Sequence, residues 1–225
     1  HLNQAGALVQ IYTDGSALIN HGGTEMGQGL FQKVAQVAAR SLGVTQSCIR
    51  ASATDTSKVP NTSATAASSG TDLNGMAVQA ACETLRGRLR SHLAEVYNCS
   101  PGAILFEADI VTGPNFEISW AEAVTSAYEA RISLSATGFY KTPNIAWDRI
   151  KGEGRPFLYF AYGAAVTEVV IDTLTGENRI LRCDILHDCG TSLNPALDIG
   201  QIEGGFVQGA GWLTTEELVW DTAGH

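Results

Sequence analysis

Apolar and polar residues alternate over "ALVQIY" and again over "SALIN", and Asp14-Gly15 stands between them. Period-two alternation broken by that dipeptide predicts a hairpin with a two-residue turn. The period then lengthens. Leu30, Val34, Val37, Ala38 and Leu42 fall on one helical face, with Gln32, Lys33 and Arg40 elsewhere. This predicts a helix over about 30–42 that stops at Gly43. "CIRASATDTS" reads as a strand, and Leu73, Ala77, Ala80, Ala81 and Leu85 form the apolar stripe of a long helix from Thr71 to about Tyr97. Farther on, "AILFEADIV" reads as a strand, "EISWAEAVTSAYEARI" as a helix, and "SLSATGFYKTPN" as a strand leading to a loop at Pro143. "LYFAYGAAVTEVVID" and "NRILRCDILHD" predict a second hairpin around Thr175-Gly176. Asn194-Pro195 supplies an N-cap and a first-turn proline for a last helix running to about Gly211.

The resulting order, β-β-α-β-α-β-α-β-β-α, mixes hairpins with helices. It predicts an α+β architecture of mixed sheets and packed helices over 1–225, or two α+β halves at about 1–115 and 116–225. The 225 residues are 44% hydrophobic and 16% charged, enough to bury a substantial core. A net charge of -9 without any Lys/Arg cluster argues against a nucleic-acid partner. No apolar run approaches the roughly 18 residues of a membrane span, so no membrane partner is expected. Five scattered cysteines (48, 82, 99, 183 and 189) contain no C-x-x-C, which excludes an iron–sulfur or zinc framework within the chain. They read as free thiols of a reducing cytosol, and the location as cytoplasmic. Both ends read as cuts through a larger protein.

Three loops lead into helix N-termini: Gly22 to Gly29, Thr62 to Gly70, and Gly190 to Asn194. Such termini present unpaired N–H groups and a partial positive charge, so they bind anions. Glycine and alanine let the backbone approach a ligand, and serine and threonine add donors. Three loops of this kind could surround one phosphate-bearing ligand; taken singly, each reads first as a tight turn with a helix cap. The GK[ST] of a nucleotide P-loop and the G-x-G-x-x-G spacing are both absent, which disfavours a nucleotide-binding protein. His21 and His187 read as hydrogen-bonded structural histidines, and Cys183 and Cys189 flank His187 without a recognised metal spacing. Glu25 is either a helix cap or a functional carboxylate.

The residue order carries more. "HGGTEMGQG", "TDTSKVPNTSATAASSG", "SLSATGFYKTPN", "GAAVTEVVIDTLTGENRILRCDILHD" and "SLNPALDIGQIEGGFVQGAGWLTTEEL" together resemble the molybdopterin-binding subunit of bacterial xanthine dehydrogenases, within the xanthine dehydrogenase/aldehyde oxidase family. The likeness extends over essentially the whole chain. It implies a molybdenum–molybdopterin cofactor contacted by Met26, Gly27 and Gln28 of "MGQG", by Ala67 and Ser68 of "TAAS", and by Gln208 of "FVQGAG", with Thr65 supporting the "TAAS" turn. Ala67 would lie beside the molybdenum without being a side-chain ligand. Gly70 stands where some relatives place a second serine.

The activity implied is hydroxylation of hypoxanthine and xanthine to urate. Electrons would pass through 2Fe-2S clusters and FAD, bound outside this chain, to NAD. Partners would be the purine substrate, the rest of the molybdenum subunit and the iron–sulfur/FAD subunit. The family's base glutamate belongs to a "GEPP" motif beyond residue 225, and Glu153 in "KGEGRP" reads as a solvated turn residue. The substrate-orienting arginine and glutamate and a Phe-Thr pair of the pocket are expected before His1. No catalytic residue is therefore assigned here, and the isolated chain is expected to be inactive. The alternatives are an aldehyde oxidase or other aza-heterocycle hydroxylase of the same family, or a non-catalytic assembly module with the same fold. The intact "MGQG" and "TAASS" loops argue against the last.

Overall fold

Ala5, Ala7, Val9 and Ile11 project from one face of strand β1 (Gln4–Ile11), and all four are buried, as a period-two pattern requires. The computed structural model describes residues 3–59 and 61–225. In it β1 pairs antiparallel with β2 (Ala17–His21). Tyr12 N donates to Ser16 O at 2.8 Å, so three residues connect the strands instead of two, with Gly15 at φ 86°. Glycine supplies the left-handed position that ends such a loop.

Helix α1 (Leu30–Leu42) matches its predicted span, and Leu30, Val34, Ala38 and Leu42 are at most 1% exposed. Burying a Leu or Val side chain contributes about 1.5–3 kcal/mol, so this stripe outweighs the weak helix propensity of valine. Gly43, at φ 79°, closes the helix by donating to Ala39 O. Strand β3 (Ile49–Ala51) then lies parallel to β2. Helix α2 (Gly70–Val96) follows, burying Leu73, Ala77, Ala81, Leu85, Leu89 and Leu93.

The next stretch departs from the expected pattern. "AILFEADIV" is a hairpin and not one strand: β4 (Leu105–Glu107) and β5 (Ile110–Gly113) meet at Ala108 and Asp109, whose φ values are 49° and 67°. The turn is held from outside. Asp109 Oδ1 accepts from Thr45 N at 2.7 Å, and Asp109 N donates to Gly43 O at 3.1 Å. A third strand, β6 (Phe116–Ser119), takes the residues expected to open a helix. Helix α3 (Trp120–Glu129) starts after Ser119, which forms a reciprocal capping box with Glu122.

Strand β7 (Ser135–Lys141) pairs with residues 4–10 of β1, completing a sheet of order β3-β2-β1-β7. This pairing carries the chain past residue 115 into the first compact unit, His1–Pro156; the second is Phe157–His225. α2 crosses β1 and β7, and its alanines permit a close approach. A Cβ built on Gly138 would lie 2.0 Å from Ala77 O. Trp120, Ala123, Val124 and Ala127 of α3 complete the core. The first unit ends with a short hairpin of β8 (Ala146–Asp148) and β9 (Glu153–Arg155), so Glu153 opens an exposed strand instead of lying in a turn.

The second unit contains a ribbon of β10 (Gly163–Ile171) and β11 (Asn178–His187), turned at Gly176 and bulged between Glu168 and Val169. Helix α4 (Pro195–Thr214) is capped by Asn194 Oδ1, which accepts from Leu197 N at 3.2 Å. Among the described residues no helix is long and apolar enough to cross a membrane.

Candidate functional site

β2 ends at His21, opposite Ala7, which leaves Gln4 and Gly6 of β1 without a partner on that side. Thr62 and Ser63 take the place. Ser63 N donates to Gln4 O at 2.9 Å, Gln4 N to Ser63 Oγ at 3.1 Å, and Gly6 N to Thr62 Oγ1 at 3.3 Å. The second loop is thereby laid beside the first; Pro60, two residues ahead of it, lies outside the described residues. At Gly22 a Cβ would meet the Thr62 side chain at 2.5 Å, so a glycine is needed where the loops cross. Thr24 N then donates to Thr65 Oγ1 at 2.9 Å, joining residues 41 positions apart.

Within the first loop the helix head is already occupied. Glu25 Oε1 accepts from Gly27 N at 2.9 Å and Gly29 N at 3.0 Å, and its Oε2 accepts from Phe31 N at 3.0 Å. Partial burial raises the pKa of this carboxyl, but the Phe31, Gly29, Gly27 and Leu30 amides outweigh it and hold the pKa below the ordinary carboxylate value. Glu25 is thus a helix cap, and those amides are not open to an anion while it is in place. Gln28 is likewise engaged: its Oε1 accepts from Met26 N at 2.6 Å and its Nε2 donates to Thr24 O at 2.8 Å. A carboxamide has two donors and two lone pairs, so one N–H and one lone pair remain for a ligand. Met26 is 68% exposed, and a Cβ on Gly27 (φ 97°) would have nothing within 4 Å.

The head of α2 differs. Its N-cap, Ser69, makes no capping bond; its Oγ donates to Ala66 O at 3.1 Å instead. The first-turn amides thus have no side-chain cap. Ala67 sits at φ 53°, a left-handed conformation uncommon for a residue with a Cβ. Ala66, Ala67 and Ser68 are exposed, and the Ser68 hydroxyl has no partner among the described residues.

Of the three expected helix-head loops, therefore, two lie side by side in the first unit and only α2 is uncapped. The third, before α4, belongs to the second unit, where Asn194 closes the helix head. Gln208 lies on α4 with its side chain exposed. Beside it, Gly205, Phe206 and Gly209 line a groove of about 530 Å³ with Val169 and Ile180 of the ribbon. Among the described residues no cluster of His, Cys, Asp and Glu could hold a metal ion, His187 and its flanking cysteines included. The capping by Glu25 had one signal in the sequence, an acid just ahead of a helix start. The Thr24–Thr65 bond had none.

A chain with this α+β fold and this pair of loops belongs to the molybdopterin cofactor-binding domain family, whose profile matches residues 1–225. It is 52% identical to the xanthine dehydrogenase/oxidase of Gallus gallus over 224 residues, and 50% identical to the xanthine dehydrogenase of Oryza sativa subsp. japonica over 224 residues. All of this chain is aligned, but it spans only 15% of either relative. Among solved structures it is similar to quinoline 2-oxidoreductase from Pseudomonas putida 86, with a TM-score of 0.82 and 26% identity. That likeness covers 97% of this chain and 28% of the other.

Proposed function

We propose that this chain forms part of the molybdopterin cradle of a molybdenum hydroxylase acting on purines. In the complete protein it would take hypoxanthine and xanthine to urate and pass electrons through 2Fe-2S clusters and FAD, held elsewhere, to NAD. The observation that carries this reading is the head of α2: amides without a side-chain cap, an exposed left-handed Ala67 and an exposed Ser68 hydroxyl without a partner among the described residues, tied to the glycine loop by Thr65. Polar donors on an open, small-residue edge fit a hydrogen-bond-rich, phosphate-bearing group.

In this reading Ser68 and the α2 amides donate to the cofactor, and Ala67 brings backbone close to its metal side without acting as a ligand. Gln28 offers its remaining N–H and lone pair, Gly27 leaves room, and Met26 covers an apolar surface. Gln208 on α4 is assigned to the cofactor on the resemblance of "FVQGAG" alone. When bound, the cofactor supplies the two-electron chemistry at the substrate carbon. Glu25 binds amides and stays ionised, so it is a fixed anchor and not a proton carrier. The partners are a purine, the remainder of the molybdenum subunit and an iron–sulfur/FAD subunit. The five free cysteines accord with a cytoplasmic setting.

Ser68→Ala in the complete protein tests the assignment. Losing one hydrogen bond of about 1 kcal/mol should speed cofactor loss on dialysis roughly fivefold, followed by pterin fluorescence, while the melting temperature of the cofactor-free protein stays unchanged. Retention equal to the parent's would remove Ser68 from the cradle.

A further inference from the structure

The imidazole of His21 is 1% exposed at the end of β2, directly before the glycine loop, and the cradle described above gives it no task. Its Nδ1 accepts from Gly23 N at 3.2 Å. A ring nitrogen that accepts carries no proton, so the neutral ring holds its hydrogen on Nε2, which is buried without a partner among the described residues. The Phe31 ring packs edge-on at 4.9 Å between centroids and 88° between planes, and Thr54 Oγ1 donates to the His21 carbonyl at 3.0 Å. Space around the turn is tight. A Cβ on Gly23 would lie 2.5 Å from Leu30 Cδ2 and 2.7 Å from Asn74 Nδ2.

We propose that His21 is the positioning residue of the glycine loop: its unprotonated Nδ1 anchors Gly23 N–H and so sets the path along which Glu25 reaches the α1 amides. A second proton would fill the lone pair that receives this bond and place a charge in an apolar pocket. Around the turn, Ala7 of β1 stands opposite His21, Phe31 of α1 lies edge-on to the ring, Thr54 binds the His21 carbonyl and Asn74 of α2 lies beside Gly23; none of these titrates in this range. The charge that acts on it is Glu25.

Burial lowers the pKa of His21 from 6.5 to about 4, against the opposing pull of Glu25. The opened loop, with an ordinary imidazole, therefore binds more protons than the closed loop between these values. Closure is fully stabilised above pH 6.5 and weakens below it, by about tenfold per pH unit in the opening equilibrium. Glu25, whose own pKa is lowered from 4.5, loses its contribution only below that value, so the slope between pH 6.5 and about 5 belongs to His21.

The test is hydrogen exchange of the Gly23 to Phe31 amides in the complete protein, produced in cells that cannot make the cofactor. Whether the cradle assignment holds then does not enter. The parent should show protection that is flat above pH 6.5 and falls below it at about tenfold per unit. His21→Phe keeps the ring contact but loses the acceptor; it should exchange roughly tenfold faster at neutral pH, with no slope. His21→Asn offers an oxygen near the Nδ1 position and should restore most of the protection while still abolishing the slope. A parent without the slope, or a His21→Asn variant that keeps it, would overturn the proposal even if His21→Phe fails to fold.

Discussion

Gly138→Ala should destabilise the first unit by about 3 kcal/mol or more, a larger loss than most single substitutions cause. The reason is local and steric. The new Cβ would fall 2.0 Å from Ala77 O and 2.7 Å from Ala81 N, which are backbone atoms of a helix that cannot rotate aside. Relief requires α2 to lift from β7, and that opens the contact over which Ala77, Ala81 and Leu85 are buried. No positive φ is involved, so the effect is one of volume alone. Thermal unfolding of the complete protein would read it as a markedly lower first transition or as loss of soluble protein. A variant within about 1 kcal/mol of the parent would mean that helix and strand can separate cheaply.

Glu25→Ala should have the second largest effect, and it should fall on the cradle more than on the fold. Removal of the carboxylate strips Gly27, Gly29 and Phe31 of their acceptor and leaves the head of α1 uncapped, at a cost of about 2 kcal/mol. The loop carrying Met26, Gly27 and Gln28 then loses its shape, and pterin content of the purified complete protein should drop by roughly tenfold or more. Glu25→Gln should fall between the two, because its carboxamide can accept at one end only. The sign with pH follows from the lowered pKa. The cap is at full strength above the ordinary carboxylate value of 4.5 and is lost as the pH falls further. Full cofactor content in Glu25→Ala would show that the amides do not need this anchor.

Regular elements were legible where one signal dominated. The stripe of Leu30, Val34, Ala38 and Leu42, stopped by Gly43, placed α1, and Asn194-Pro195 placed the start of α4. The hairpin at Ala108 and Asp109 was not legible, because alanine is a poor predictor of left-handed backbone. Thr45 and Gly43, more than sixty residues away in sequence, hold that turn. Likewise Glu117 to Ser119 look helical locally but pair with β5, since Ile118 lies opposite the buried Val111. At the candidate site the glycine and serine content located both loops. It did not reveal that one helix head is filled by Glu25 and the other is open, nor that Thr65 reaches back to Thr24. Those facts depend on which side chain bends toward which amide, and composition does not encode that.

In the native protein these loops are proposed to hold a molybdenum–pterin group. The most direct test of this assignment is the metal content of the complete protein purified from its own cells, measured by elemental mass spectrometry together with pterin release. About one molybdenum and one pterin per chain is predicted for a cofactor held by a single cradle. Values near zero, from cells that load other molybdenum enzymes, would contradict it.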